Sequence, residues 1–331
     1  MHELDRGGVW LMFPGQGSQY PRMGASLYGS EPVFTHWMDT AFGLLEGMGE
    51  HLREEWLSPS PSPAFDDVTV AQPLLYAVDH ALGRMVLAWG VEPRGLLGHS
   101  VGELVAATLA GVLGFEDGLA VMADRVAAFA DTPVGGMAAV AAAEEEVSPF
   151  LSEEVHLAAV NAPRQTMIAG RTGPLSAAMA AMAAAGLTCA PVRSRQAFHS
   201  PLVNEGVAAS LPAWEAVPLA PPGIPVVSAY LPGRLTGATA CDAHFWAEQP
   251  ARQVRFFDAL QEVLALGPLA VVECGPSGGL TAIARRQRQV VGGGTRALAL
   301  LPDRPEPVER ERQQVASVRA AVAELRAEVA S

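Results

Sequence analysis

Gly98-His99-Ser100-Val101-Gly102 is a G-x-S-x-G run lying between a short apolar segment, Gly95–Gly98, and a helix-forming stretch. Flanking glycines let the chain bend sharply enough to expose a serine hydroxyl, the setting of a nucleophile elbow. The helix N-terminus behind Ser100 favours developing negative charge, and the first free backbone N–H, on Val101, can point at an oxyanion. The plain alternative is a glycine-rich turn carrying an incidental serine. A serine hydroxyl needs a neighbouring base to act as a nucleophile. Eight histidines are available. His99 adjoins Ser100, where neighbouring side chains diverge, so it is read as packing. His199 is read at the end of a strand segment, ahead of Ser200-Pro201 as N-cap and N1 of a following helix. There it is either the base or a structural histidine at a domain junction. His2, His36, His51, His80, His156 and His244 show no metal-ligand spacing, and no metal is expected.

Arg125 is the third residue of interest. The spacing predicts a helix over Phe115–Ala130 whose polar face carries Asp117 and Asp124, with Asp131 next in that spacing of seven. Arg125 falls on the other side, beside Val121, Met122, Ala128 and Phe129. A guanidinium facing a core needs an anion, because an unpaired buried charge is very costly. The anion is either an internal acid or a substrate carboxylate held bidentately. The loop Phe13-Pro14-Gly15-Gln16-Gly17-Ser18-Gln19 resembles a dinucleotide turn only in part, since Tyr20 stands where the third glycine of G-x-G-x-x-G belongs. Its glycines suit the exposure of backbone N–H groups at a strand end, as a second oxyanion donor requires.

The elements that must position these residues alternate. Val9–Phe13 reads as a buried strand, 31–57 as amphipathic helix, and Ser58–Pro63 as a stiff connection. Helix Gln72–Trp89, strand Gly95–Gly98, helix Leu104–Leu113 and the helix bearing Arg125 follow, an alternation that argues for a parallel α/β sheet covered on both faces. From Thr132 the pattern changes to strand Gly136–Ala142, helix Glu144–Ser152 and strands Val155–Val160 and Thr166–Gly170. Helix Gly173–Ala185 and strand Thr188–Val192 complete it. That β-α-β-β-α-β order is the ferredoxin-like motif, inserted into the larger fold. The expected division is 1–131 with 197–304 as the large domain, 132–196 as the small one, and 305–331 as a C-terminal amphipathic helix. The larger domain resumes near His199 and includes an apolar strand at Leu269–Val272. In the tail Val308, Val315, Val318, Val322, Leu325 and Val329 form an a/d stripe, for docking on the body or for self-association.

Composition narrows the classes. Half of the 331 residues are hydrophobic and 17% are charged, enough for a large core and too little charge for a disordered chain. A net charge of −13 argues against nucleic-acid binding, which rests on basic surface. Three widely spaced cysteines fit neither a disulfide framework nor a zinc site and read as small buried hydrophobes in a reducing compartment. No window reaches a membrane-spanning run and no signal-peptide core is present, so a cytoplasmic enzyme is expected.

Together these pieces resemble the malonyl-CoA:acyl-carrier-protein transacylase family, including the acyltransferase domains of modular polyketide synthases. The resemblance runs from about residue 9 to 300. It rests on FPGQGSQ (Phe13–Gln19), Gln72-Pro73, GHSVGE (Gly98–Glu103), Asn161-Ala162-Pro163 and AFHS (Ala197–Ser200). It implies an α/β-hydrolase-like core with a parallel sheet and an inserted ferredoxin-like subdomain, the active site lying between them. It further implies Ser100 as the acylated nucleophile, His199 as base and then acid, and backbone N–H groups of Gln16 and Val101 as the oxyanion hole. Arg125, at the spacing after the serine where the family keeps its carboxylate-binding arginine, would hold the extender group. A backbone carbonyl, assigned to Gln249, would orient the histidine, with Asn161 and Gln72 in supporting places. The stretch Gln196-Ala197-Phe198-His199 resembles the malonyl-selecting pattern at AFH and departs from it at Gln196, while Phe198 would crowd an α-methyl group.

The implied activity is transfer of an extender acyl group, malonyl above others, from CoA to the phosphopantetheine thiol of a holo acyl carrier protein in polyketide biosynthesis. No bound cofactor is implied; malonyl-CoA is substrate and the partner carries the phosphopantetheine. An acyl shuttle between carrier proteins and an editing acyl-thioester hydrolase are the alternatives. The chain, starting at Met1 with no ketosynthase sequence ahead, reads as freestanding. Arg193 with Arg195, Arg252 with Arg255, and Arg285-Arg286-x-Arg288 are candidate basic patches for an acidic carrier.

Overall fold

A computed structural model describes residues 8–45, 47–130, 132–268 and 270–330. Its strands, in chain order, are β1 (Val9–Phe13), β2 (Gly95–Gly98), β3 (Gly135–Val140), β4 (Val155–Ala162), β5 (Gln165–Arg171), β6 (Cys189–Val192), β7 (Val226–Val227), β8 (Ala270–Glu273) and β9 (Arg296–Ala299). They form a five-stranded sheet, order β7-β2-β1-β8-β9, and a four-stranded sheet, order β4-β5-β3-β6. Every pairing in the first sheet is parallel. Its central strands are apolar runs buried on both faces, as helix crossovers require. The second sheet is antiparallel with the strand order of a ferredoxin-like unit. The fold is thus the α/β-hydrolase-like core with a ferredoxin-like subdomain.

Two cores flank the parallel sheet. Leu11 and Phe13 face one side among the helices Pro32–Leu44, Val68–Ala88 and Val101–Leu109; Trp10 and Met12 face the other, against the helix Phe256–Ala265. Side chains on successive strand residues point to opposite faces, which divides Val9–Phe13 between the two. The small sheet joins the large domain through backbone pairing of Ala158 and Val160 with Val254 and through the Arg255–Glu144 ion pair. On another side Arg193, just past β6, pairs with Asp66.

Several expectations change. The helix over 31–57 is two helices, Pro32–Leu44 and Gly49–Leu57, separated where Gly47 takes a left-handed φ of 75°. The helix expected at Gln72 begins at Val68, because the Asp67 carboxylate accepts the Thr69 N–H as N-cap. The elbow helix runs Val101–Leu109 rather than Leu104–Leu113, starting directly after Ser100. The helix over 144–152 shortens to Glu144–Val147, with Pro149 in the 3-10 turn that follows. Cys274 alone of the cysteines is buried: Cys189 lies on an edge strand and Cys241 is exposed at the end of a one-turn helix. Asp131, His2 and Leu269 lie outside the described residues.

The C-terminal helix Val308–Ala330 docks on the body. Val315, Val318, Val322 and Leu325 are buried, and Glu311 accepts the Ser26 N–H at 3.1 Å. Val308 stays exposed, and the side chain of Val329 lies outside the description. Among the described residues no helix is long and apolar enough to cross a membrane.

Candidate active site

Parallel strands place their C-terminal ends together, and loops leaving those ends form a crevice. Here β1 delivers Gly15 and Gln16, β2 delivers Ser100, and β7 delivers Ser228 and Tyr230. Ser100 sits at φ 55° and ψ −120°, a strained conformation for a residue with a Cβ. The glycines make the bend: a Cβ on Gly98 would lie 2.1 Å from Glu103 N, and one on Gly102 would lie 2.1 Å from Phe13 O. Val101 opens the helix, so its N–H has no intrahelical acceptor. A Cβ on Gly15 would meet His99 O at 2.6 Å, so the first-strand loop lies directly against the elbow.

His199 meets Ser100 across the domain junction, with Oγ···Nε2 at 2.9 Å. It does not end a strand. It stands on a turn with φ 62°, held by its own N–H to the Pro250 carbonyl. Its Nδ1 faces two carbonyl oxygens, Arg252 at 3.0 Å and Gln249 at 3.3 Å. Acceptors at Nδ1 require a proton there, leaving the Nε2 lone pair for Ser100. Burial, with His99 and the Arg125 charge nearby, lowers the His199 pKa to about 3, so the ring is neutral at physiological pH. Gln249 thus supplies a carbonyl as expected, but Arg252 supplies the nearer one. Ser200 does not cap the next helix; its hydroxyl donates back to Ala197 O.

Arg125 is 5% exposed, and its Nε has no hydrogen-bond partner among the described residues. No described acid pairs with it. Burial lowers its pKa to about 10, still far above neutrality. A fixed, uncompensated cation therefore borders the Ser100–His199 pair.

The remaining expected residues divide. Gln72 donates to the Gln16 side chain at 3.0 Å, and Gln16 donates to Asp66 O at 3.3 Å, which steadies the first-strand loop. Asn161 does not reach His199; its Oδ1 lies 2.8 Å from His99 Nε2, fixing that ring behind the elbow. Phe198 is buried with its ring 5.5 Å from that of Phe129, and Gln196 is buried two residues before it.

Two residues given no role in the sequence belong to the site as well: Glu103, the last residue of the GHSVGE run, and Tyr230. Glu103 is fully buried and accepts from Ser228 Oγ at 2.6 Å, Ala229 N–H at 2.7 Å and Gln249 Nε2 at 3.3 Å. It joins the elbow helix to the loop after β7 and to the segment that holds His199. Burial raises its pKa to about 7 against those donors. An acid two residues after Val101 in an otherwise apolar helix was the available signal. Tyr230 had only its place after the two-residue β7 to mark it. Among the described residues no cluster of His, Cys, Asp or Glu could hold a metal ion.

A family profile described as the acyl transferase domain matches residues 10–318. This chain belongs to that family of enzymes. It is 37% identical over 302 residues to the mycoketide-CoA synthase of Mycobacterium tuberculosis, which covers 91% of this chain but only 7% of the synthase. The acyl transferase domain of SpnD, solved in complex with 2-(pent-4-yn-1-yl)malonyl, superposes with a TM-score of 0.88 at 30% identity, over 97% of this chain and 78% of that one. A malonyl-transacylase solved with its type II polyketide synthase acyl-carrier protein superposes with a TM-score of 0.78 over 88% of this chain and 96% of that chain. At 24% identity it is a likeness of fold. The acyl transferase family match thus spans both sheets and the first turns of the C-terminal helix, ending at residue 318.

Proposed function

We propose that the chain transfers a malonyl group from CoA to the phosphopantetheine thiol of an acyl carrier protein through an ester on Ser100. The observation that carries this reading is the uncompensated Arg125 guanidinium beside a hydrogen-bonded Ser100–His199 pair. His199 Nε2 takes the Ser100 proton as Oγ attacks the thioester carbonyl. The oxyanion is held by the N–H groups of Gln16 and Val101. As the C–S bond breaks, the CoA thiolate takes the proton from His199. The carrier thiol then reverses the sequence, giving its proton to His199, attacking the Ser100 ester and returning the serine hydroxyl.

Arg125 would grip the distal carboxylate bidentately, a contact contributing about 1.5–3 kcal/mol. The wall at Gln196 and Phe198 would leave little room for an α-methyl group, a difference worth about 1–3 kcal/mol. Arg193, paired with Asp66 beside the Gln16 loop, and Arg195 are candidate carrier contacts.

Intact-protein mass spectrometry after brief exposure to malonyl-, methylmalonyl- and acetyl-CoA tests this reading. The expected result is a malonyl adduct on the wild type, with less methylmalonyl and less acetyl, and no adduct on Ser100→Ala. No adduct from any ester on a folded wild type, or an adduct that survives Ser100→Ala, overturns it.

A further inference from the structure

Tyr230 follows β7 at the same sheet edge and is part-buried. Its ring lies 6.1 Å from the His199 ring at 40°. Its backbone is fixed from behind: Tyr230 N–H donates to Ser228 Oγ at 3.0 Å, and Ser228 Oγ donates to the buried Glu103 carboxyl. Its ring packs against both cores that flank the parallel sheet. The side chain is therefore packed beside the His199 ring, with the Ser100 hydroxyl and the Arg125 charge near its own hydroxyl.

The chemistry around the phenol is unbalanced. Burial first, with Glu103 nearby, pushes its pKa up, opposed by Arg125 and a hydrogen bond with Ser100, so the hydroxyl keeps its proton. Arg125 offers only donors. Once Ser100 carries an acyl group, its Oγ is an ester oxygen, a weaker acceptor than the hydroxyl it replaces. The part-buried phenolic O–H is then better served by a charged acceptor, because a hydrogen bond to a charged group is worth more than one to a neutral oxygen. A carboxylate held by Arg125 supplies that acceptor.

We infer that Tyr230 is a specificity-determining residue whose hydroxyl donates a second hydrogen bond, beside Arg125, to the distal carboxylate of the acyl group on Ser100. The inference rests on the acyl-enzyme reading above and deepens it: the acyl group is recognised as a dicarboxylic half-thioester by a cation and a neutral donor together.

The test compares single-turnover loading of wild type and Tyr230→Phe with malonyl-CoA and with acetyl-CoA, read by intact mass. The expected result is a malonyl rate lowered about 10- to 100-fold, the range for a hydrogen bond to a charged group, with acetyl loading little changed. Acetyl loading also reports that the variant is folded. Equal loss for both esters, or an unchanged malonyl-to-acetyl ratio, overturns the inference while leaving the acyl-enzyme reading standing. A wild type that takes up no acyl group overturns both, and does so before any variant is made. In an Arg125→Ala background the Tyr230→Phe effect should shrink, because the two side chains hold one carboxylate.

Discussion

The C-terminal edge of the parallel sheet carries two regions with buried, unpartnered ionisable groups, and they resolve the problem in opposite ways. On the β2 and β7 side Arg125 is enclosed without a described acid. On the β8 side Asp79 is fully buried beside Gly275, and neither of its carboxyl oxygens has a partner among the described residues. Burial and the neighbouring Glu273 push the Asp79 pKa well above the ordinary carboxylate range, so a proton neutralises it. Arg125 has no such escape, since a pKa of about 10 leaves it charged at neutral pH. An orphaned acid in a closed core therefore needs only a proton. An orphaned arginine beside a crevice needs an anion, and that difference makes one region a binding site and the other a piece of interior.

The largest effect expected from this contrast is at Arg125. Arg125→Ala should lower malonyl loading relative to acetyl loading by about 10- to 150-fold, the equivalent of a bidentate charge-assisted contact. The free variant should also be more stable than wild type, because an uncompensated buried charge has been removed. Loading assays with both esters and thermal unfolding without ligand read the two halves. A variant that keeps its malonyl preference, or that loses stability as a core arginine with a hidden partner would, breaks the comparison.

A second, smaller effect concerns pH. A histidine held at about 3 stays a neutral base through the acidic range, so the single-turnover acylation rate should not fall off at the ordinary histidine value of about 6.5. A rate that drops tenfold per unit below 6.5 would mean that the ring titrates normally. The burial that lowers its pKa would then be offset by the hydrogen bonds to Gln249 and Arg252, which favour the charged ring.

How much of this was legible in sequence follows the distance over which each feature is determined. The elbow was legible because strand, glycines and helix N-terminus are contiguous. Arg125 was legible because helical periodicity alone puts it on the apolar side. The small sheet was legible from its alternation of elements, and the C-terminal docking helix from its 3-and-4 spacing. His199 was readable as a residue but not as a geometry: its turn is set by carbonyls some 50 residues later in the chain. Tyr230 was missed because β7 is two residues long and exists only by pairing with β2. Glu103 looked like a polar residue on a helix, and its three donors come from distant segments. The break at Gly47 was missed because an apolar pattern that continues across a glycine does not show whether the backbone does.

The smallest effect belongs to Asp79, and it sharpens the contrast through its sign. A carboxyl whose folded pKa is raised holds a proton that the unfolded chain gives up near 3.8. The stability from that proton is complete below 3.8 and is lost as pH rises through the folded value. Asp79→Asn cannot lose a proton, so its stability relative to wild type should improve steadily with pH. At pH 5 the variant bears an unpartnered amide and should be less stable by about 1–3 kcal/mol; by pH 9 that deficit should shrink. Comparing the two proteins at each pH cancels the opposite contribution of His80 and His199, which burial holds near 3 and which cost stability as pH falls below 6.5. Acyl loading of Asp79→Asn should match wild type throughout. A deficit that grows with pH would mean that Asp79 is ionised and paired in the native state. The two sides of the sheet edge would then no longer differ in kind.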